Sequence, residues 1–316
     1  MFIPKTGGLS LELDAAMRSE LAESLRRLGH RAAALLPANP SPDLIAQQTR
    51  QHRVLPGVFG RYYELIEALQ AGNRTCAASL WAELGSLTAV PAHFRMCPFT
   101  AEALGPDSAR YQRLFTRGQE SVGKFSAPEA LEAQRLTALT AEAMALLESV
   151  HAPWAQELRA LVGEVVFVRV PRGTLSGGSS MMLWGTVLMN SAAVENRIAA
   201  LSVLAHEATH LLLFGLARRE PLTRNAPQES FSTPLRPTPR PMNAVFHATY
   251  VSGRLHALCG LLRASGALAP AECAEVDDIS SLQFERFVQG LAVIRAHGAL
   301  SPIAQTLIDE AQSAIT

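Results

Sequence analysis

The stretch Leu201–Ala217, LSVLAHEATHLLLFGLA, places three ionisable residues inside the most apolar helical run of the chain. His206, Glu207 and His210 form the pattern H-E-x-x-H, and burying them without partners would be costly. Because a helix turns about 100° per residue, the two histidines lie one above the other on one face. Two imidazoles so placed can bind one metal ion, with Glu207 facing bound water or substrate. The stretch therefore predicts a metal site; the alternative is a pair of core histidines bonded to backbone carbonyls.

Two histidines do not make a tight metal site, so a third protein ligand is expected. A histidine six residues further on, with a glycine between, is excluded because Leu213 and Leu216 occupy those positions. Glu229 lies at the distance of a downstream glutamate ligand, but it sits among prolines, where a helix is disfavoured. His247 lies near the start of the next predicted helix and is the preferred third ligand. A role for His247 as an ordinary core histidine stays open.

Helical spacing predicts most of the chain outside this stretch. Residues 91–128, broken by proline and glycine, are predicted to connect short helices. The six prolines between Pro221 and Pro241 predict an extended segment. The predicted helices are Leu11–Leu36, Phe59–Ala71, Cys76–Leu87, Ala130–Ser149, Pro153–Val162, Asn243 to about Ser265, Ser280–His297 and Pro302–Ile315.

Two β-rich runs precede the metal-binding helix. EVVFVRV (Glu164–Val170) and MMLWGTVLMN (Met181–Asn190) are predicted strands, joined by the glycine-rich turn PRGTLSGGSS. Asn190 and Ser191 can start the helix that follows. This order of strand, glycine loop, strand and metal helix resembles the zincin core, in which an edge strand pairs with extended substrate. The likeness makes four residues candidates for substrate binding: Gly178, Ser179, Ser180 and Trp184. A plain flexible turn is the alternative for SGGSS.

These patterns predict an α+β fold, mostly helical, with a zincin-like core. The expected division is an N-terminal helical lobe over residues 1–162, a possible peptide-recognition region, and a metal-binding catalytic domain over residues 163–316. Lys plus Arg equals Asp plus Glu, 28 each, which gives no electrostatic argument for nucleic acid or an anionic membrane. The N-terminus has no apolar secretion segment, and the four cysteines are widely spaced, so a reduced, cytoplasmic protein is expected.

Three segments together resemble a known family. GGSSMMLWGTVLMN, LAHEATHLLLF and PLRPTPRPMNAVFHATYVSGR are similar to the HExxH peptide-modification proteins encoded beside ribosomally made, post-translationally modified peptides. That family is regarded as iron- and 2-oxoglutarate-dependent peptide β-hydroxylases. The resemblance covers about residues 164–256 and is looser upstream, where RVLPGVFGRYYELIEAL fits. Thr238 stands where the family tends to carry Asp.

The resemblance implies that His206, His210 and His247 hold Fe(II), and that nearby arginines contact 2-oxoglutarate. Its implied partner is a precursor peptide, with O₂ as co-substrate. The predicted helix from Asn243 carries His247, Tyr250 and Arg254 on one face. Arginine supplies the forked donor that a distal carboxylate needs.

Burying the Arg254 guanidinium requires an anionic partner, and its own helix offers no nearby carboxylate. A bound dicarboxylate is therefore a candidate for this partner. Arg240 and Arg236 are the alternative anchors, and Tyr250 is expected to border the cofactor.

Three functions follow as hypotheses. The preferred one is Fe(II)/2-oxoglutarate-dependent hydroxylation at the β-carbon of residues in a precursor peptide. The second is a zinc metallopeptidase, in which Glu207 acts as the general base that takes a proton from metal-bound water. The third is a non-catalytic peptide-binding partner that keeps the metal for structure.

Overall fold

A computed structural model describes residues 2–87, 94–117, 123–233 and 236–315, with only the backbone of Arg236 and Pro237. The described residues are mostly helical with a small mixed sheet, which confirms the expected α+β class at this level. The helices are α1 Gly8–Arg31, α2 Pro42–Gln51, α3 Gly57–Gln70, α4 Arg74–Leu84, α5 Ala101–Leu104, α6 Asp107–Thr116, α7 Ala130–Leu161, α8 Arg197–Leu216, α9 Met242–Ala264, α10 Pro270–His297 and α11 Pro302–Ile315. The strands are β1 Arg95–Pro98, β2 Glu164–Val168, β3 Gly177–Ser179, β4 Thr186–Asn190, β5 Phe231–Thr233 and β6 Arg236–Arg240.

The main sheet has four strands in the order β1-β2-β4-β3. Strand β2 runs parallel to both β1 and β4, while β3 pairs antiparallel with β4 at the edge. All residues of β2 and β4 are buried, as expected for parallel strands covered on both faces. The predicted strand at Met181 is wrong in its first part, because Met181–Leu183 forms a single 3₁₀ turn and the strand begins at Thr186. Part of the predicted glycine turn is instead β3.

Helix ends follow local chemistry that the apolar pattern alone does not fix. Helix α8 begins at Arg197 because the side chain of Asn196 accepts a hydrogen bond from the Ala199 N–H, so the expected start at Asn190 and Ser191 is wrong. Helix α7 is broken at His151, where the backbone leaves helical geometry two residues before Pro153. That break confirms the expected interruption between two helices.

The chain folds into two compact units that differ from the expected division at residues 162 and 163. The histidine unit, as we call it, contains Met1–Leu9, Leu139–Leu158 and Asn196–Thr316. The sheet unit contains Ser10–Ala138 and Arg159–Glu195. The four-stranded sheet therefore groups with the N-terminal helices, and α7 contributes to both units.

Within the histidine unit, α9 packs against α8, α10 and α11. Most residues of α8 and α9 are buried, and β5 and β6 form a separate two-stranded sheet between these two helices in the sequence. Among the described residues, α8 is long and apolar enough to cross a membrane, but 72% of that stretch is buried inside the protein. Such burial is typical of the core helix of a soluble protein.

Candidate metal centre

Helix α8 brings the two motif histidines onto one face, as their spacing predicts. The ring centres of His206 and His210 lie 5.0 Å apart. His206 keeps 42% of its side chain exposed, whereas Glu207 is buried with a carboxylate oxygen 4.0 Å from His206 Nε2. The three groups therefore line the boundary between the interior and solvent, where a substrate could reach them.

Helix α9 places His247 directly beside His210. The two imidazole rings stack with their centres 5.4 Å apart, and their Nδ1 atoms are separated by 3.2 Å. Phe214, one turn after His210, covers the pair with its ring centre 5.4 Å from that of His247. Glu229, the rival ligand, lies in an exposed turn and accepts a hydrogen bond from Asn225. Of the two candidates for the third position, His247 is the one in contact with a motif histidine.

Burial holds two of the three imidazoles in their neutral form. Desolvation lowers the pKa of His210 well below its usual range, and repulsion from His206 and His247 adds to this effect. Desolvation lowers the pKa of His247 to about 4. The neutral imidazole is the form that binds metal ions, so both residues are ready to act as ligands at neutral pH.

The His210–His247 geometry suits a shared ion. Two nitrogens that each lie about 2.0–2.1 Å from one ion, at tetrahedral or octahedral angles, are separated by about 3 Å. The observed 3.2 Å also fits a hydrogen bond between the rings if one Nδ1 carries the proton. As placed, no three His, Cys, Asp or Glu side chains of the described residues could hold a metal ion. His206 would have to turn its partly exposed ring to complete the set.

We expect the metal-free protein to lose stability as the pH falls from about 6.5 towards 4. The pKa of His247 is about 4 in the folded protein but about 6.5 when unfolded, so below pH 6.5 the unfolded chain binds a proton that the folded chain excludes. The free energy of unfolding should therefore have its full value above pH 6.5 and should be lower by on the order of 3 kcal/mol at pH 4. Urea unfolding of chelator-treated protein at pH 7.5 and 4.5 measures this change. His247→Gln should reduce it, and equal pH dependence in both proteins would contradict the assignment.

Arg254 has an anionic partner inside the protein, so the burial of its guanidinium does not by itself require a bound ligand. Its Nη2 donates to Oε1 of Glu157 at 2.5 Å, and both side chains are buried. The guanidinium also lies over the ring of Trp154, with Cζ 4.7 Å from the ring centre. Glu157 belongs to α7, so the sequence of α9 by itself does not reveal it. A role for Arg254 as a cofactor anchor stays a prediction. Its main argument, the need of a buried guanidinium for an anionic partner, no longer applies because Glu157 is that partner.

The other proposed cofactor residues occupy different environments. Tyr250 is buried, stacks on Phe246 with ring centres 6.3 Å apart, and has a hydroxyl without a hydrogen-bond partner in the described part of the chain. Burial raises the pKa of Tyr250. Arg240 is exposed at the end of β6, and its side chain makes no hydrogen bond or ion pair with another described residue. The Arg236 side chain lies outside the described residues.

The proposed substrate residues all belong to the sheet unit. Gly178 and Ser179 lie in the edge strand β3 and are partly exposed. The Ser180 hydroxyl accepts a hydrogen bond from the Met182 N–H and so starts the 3₁₀ turn. Trp184 is only 2% exposed, and its Nε1 donates to Asp14 at 3.2 Å, which indicates a packing role. Strand β3 is thus the part of this set that can contact a peptide.

Comparisons with known proteins give no relative on which to rest a function. No family model matches the sequence, and no curated protein matches it. The similarity to the peptide hydroxylases therefore depends on the three motif segments themselves. The function has to be argued from these motifs together with the histidine geometry.

Proposed function

We propose that the protein is an Fe(II)- and 2-oxoglutarate-dependent oxygenase that hydroxylates β-carbons in a ribosomally made precursor peptide. The observation that carries this proposal is the stacking of the half-buried His210 on the buried His247, next to His206. Three imidazole ligands suit iron, zinc and other borderline metals, and the motif resemblance favours iron. When bound there, iron with 2-oxoglutarate and O₂ supplies the oxidation of an unactivated C–H bond.

The residues of the chain would have separate roles in this reaction. His206, His210 and His247 would hold the ion, and Phe214 packs against the rings of His210 and His247. Glu207, buried beside His206, would face the substrate or orient that histidine. Arg240 is the better candidate for the distal carboxylate of 2-oxoglutarate, because it is exposed, has no partner among the described residues and ends the strand just before α9. Tyr250 would border the cofactor with its unpartnered hydroxyl.

The peptide is proposed to bind as an added strand. Among the described strands, β3 is hydrogen-bonded to β4 alone, so its outer edge offers backbone groups to an extended chain. The zincin-like core, in which an edge strand pairs with extended substrate, is part of the proposal. The N-terminal helices would contribute to peptide recognition, and a cytoplasmic location fits a peptide modified where it is made.

Uncoupled turnover tests the reaction without knowledge of the peptide. Protein loaded anaerobically with Fe(II) should convert 2-oxoglutarate to succinate only after air is admitted, and the zinc-loaded protein should not. Chemical analysis of succinate, with the His210→Ala variant as the inactive control, measures this result. Absence of succinate from iron-loaded protein that demonstrably contains one iron per chain would contradict the proposal.

A zinc metallopeptidase is the second candidate, and two observations favour it. Glu207 is buried next to His206, where a general base of this class would stand. The internal pairing of Arg254 removes the main sequence argument for a dicarboxylate cofactor. Zinc-loaded protein would then cleave an unfolded protein such as casein, and Glu207→Gln would abolish the cleavage while retaining the zinc.

A further inference from the structure

The buried ion pair between Glu157 and Arg254 connects α7 to α9. Arg254 is 0% exposed, with its Nη2 2.5 Å from the Glu157 carboxylate. Its guanidinium covers the indole of Trp154, one turn before Glu157 on α7. All three side chains belong to the histidine unit, and we call them the α7–α9 clamp.

Stability alone does not explain a buried ion pair such as the clamp. Removing both charges from water costs much of what their attraction returns, and an apolar pair of similar volume often stabilises a protein as well or better. The hydrogen bonding is also incomplete, since Arg254 Nε and Nη1 and Trp154 Nε1 have no partner in the part of the chain that the structure describes. A charged pair in this position therefore suggests that it serves to orient α9 relative to α7.

The clamp lies where it can restrain the rotation of α9 about its axis. Arg254 follows His247 by seven residues, which is two helical turns and about 10 Å along the axis, so the two side chains share a face. A helix that is held at Arg254 cannot turn about its axis without moving His247 away from His210. A guanidinium that is hydrogen-bonded to Glu157 and stacked on Trp154 restrains this rotation more tightly than an apolar contact does.

We propose that the α7–α9 clamp positions His247 against His210, so that Arg254 is a positioning residue for the metal centre. This inference rests on the proposed function only in assuming that the histidines bind a metal. It assigns Arg254 a task within the protein rather than a contact with cofactor or substrate.

Replacing both charges tests the clamp apart from stability. We expect Glu157→Leu with Arg254→Met to keep or raise the melting temperature of the metal-free protein. The affinity for Co(II) should nevertheless fall at least about tenfold, as it does when a group supporting a ligand is lost, and the visible Co(II) spectrum should change. Hydrogen exchange of the amides around His247 should become faster in the metal-free protein.

A matched control is the exposed pair Arg263–Asp277, which also joins α9 to a neighbouring helix. Arg263→Met with Asp277→Leu should change neither Co(II) affinity nor the exchange around His247. If the clamp variant does not fold, it is replaced by Arg254→Lys, which keeps the charge and loses the planar group stacked on Trp154, and the same direction of change is expected. A stable clamp variant with wild-type exchange and wild-type affinity overturns the inference. If wild-type protein binds no metal, the proposed function fails, and the exchange measurement alone decides about the clamp.

Discussion

His210→Ala and His247→Ala are each expected to lose the metal ion, with the affinity falling more than about 100-fold. Loss of a group that merely supports a ligand already costs about 10–100-fold, and removing one of three ligands costs more. His247 matters as much as the motif residue because its Nδ1 lies 3.2 Å from that of His210. Elemental analysis of dialysed, folded protein, with circular dichroism to verify the fold, measures the loss.

Two control variants distinguish metal ligands from residues that do not bind the metal. Glu229→Ala should keep the full metal content, because Glu229 is exposed in a turn and paired with Asn225. His256→Ala changes another α9 histidine, one that contacts Ser280 rather than the cluster, and should also keep the metal. Full occupancy in His247→Ala together with loss in Glu229→Ala would show that the third ligand is assigned wrongly.

The sequence predicted those parts of the fold that depend on local periodicity. Helix α11 has the expected bounds, and α3 differs from expectation by one or two residues at its ends, because apolar spacing follows the buried face. Helix α8 contains the predicted motif but begins six residues after Ser191. Short elements were missed. Helix α2 lies in a segment that was not predicted to be helical, and β1 has four residues, whose parallel pairing with β2 depends on a partner 69 residues away.

In the candidate site, too, the sequence predicts what depends on local spacing and not what depends on tertiary packing. The i, i+4 spacing of His206 and His210 is enough to place them on a common face, whereas the stacking of His247 on His210 depends on how α8 and α9 pack. Phe214 could have been found, since it follows His210 by four residues on the same face. No sequence signal marks Glu157 as the partner of Arg254, because the two are 97 residues apart and the contact is tertiary.

Arg254→Ala is expected to destabilise the protein by about 3–5 kcal/mol, the cost of leaving the buried Glu157 carboxylate without its partner. Arg240→Ala should change the free energy of unfolding by less than about 0.5 kcal/mol, since Arg240 is exposed. Urea unfolding of both metal-free variants measures the contrast. Glu157→Leu combined with Arg254→Met should restore the wild-type stability or exceed it, because it removes the unpaired charge.

The single variants Arg240→Ala and Arg254→Ala also distinguish the roles of the two arginines in catalysis. If Arg240 anchors 2-oxoglutarate, Arg240→Ala should raise the concentration required for succinate release roughly 10- to 150-fold, the value of a charge-assisted hydrogen bond of about 1.5–3 kcal/mol. Arg254→Ala should lower metal content and stability together, through His247. Should Arg254→Ala instead keep its metal and its stability while needing far more 2-oxoglutarate, Arg254 is the cofactor anchor that the sequence predicted. Its contact with Glu157 would then have to open when the cofactor binds.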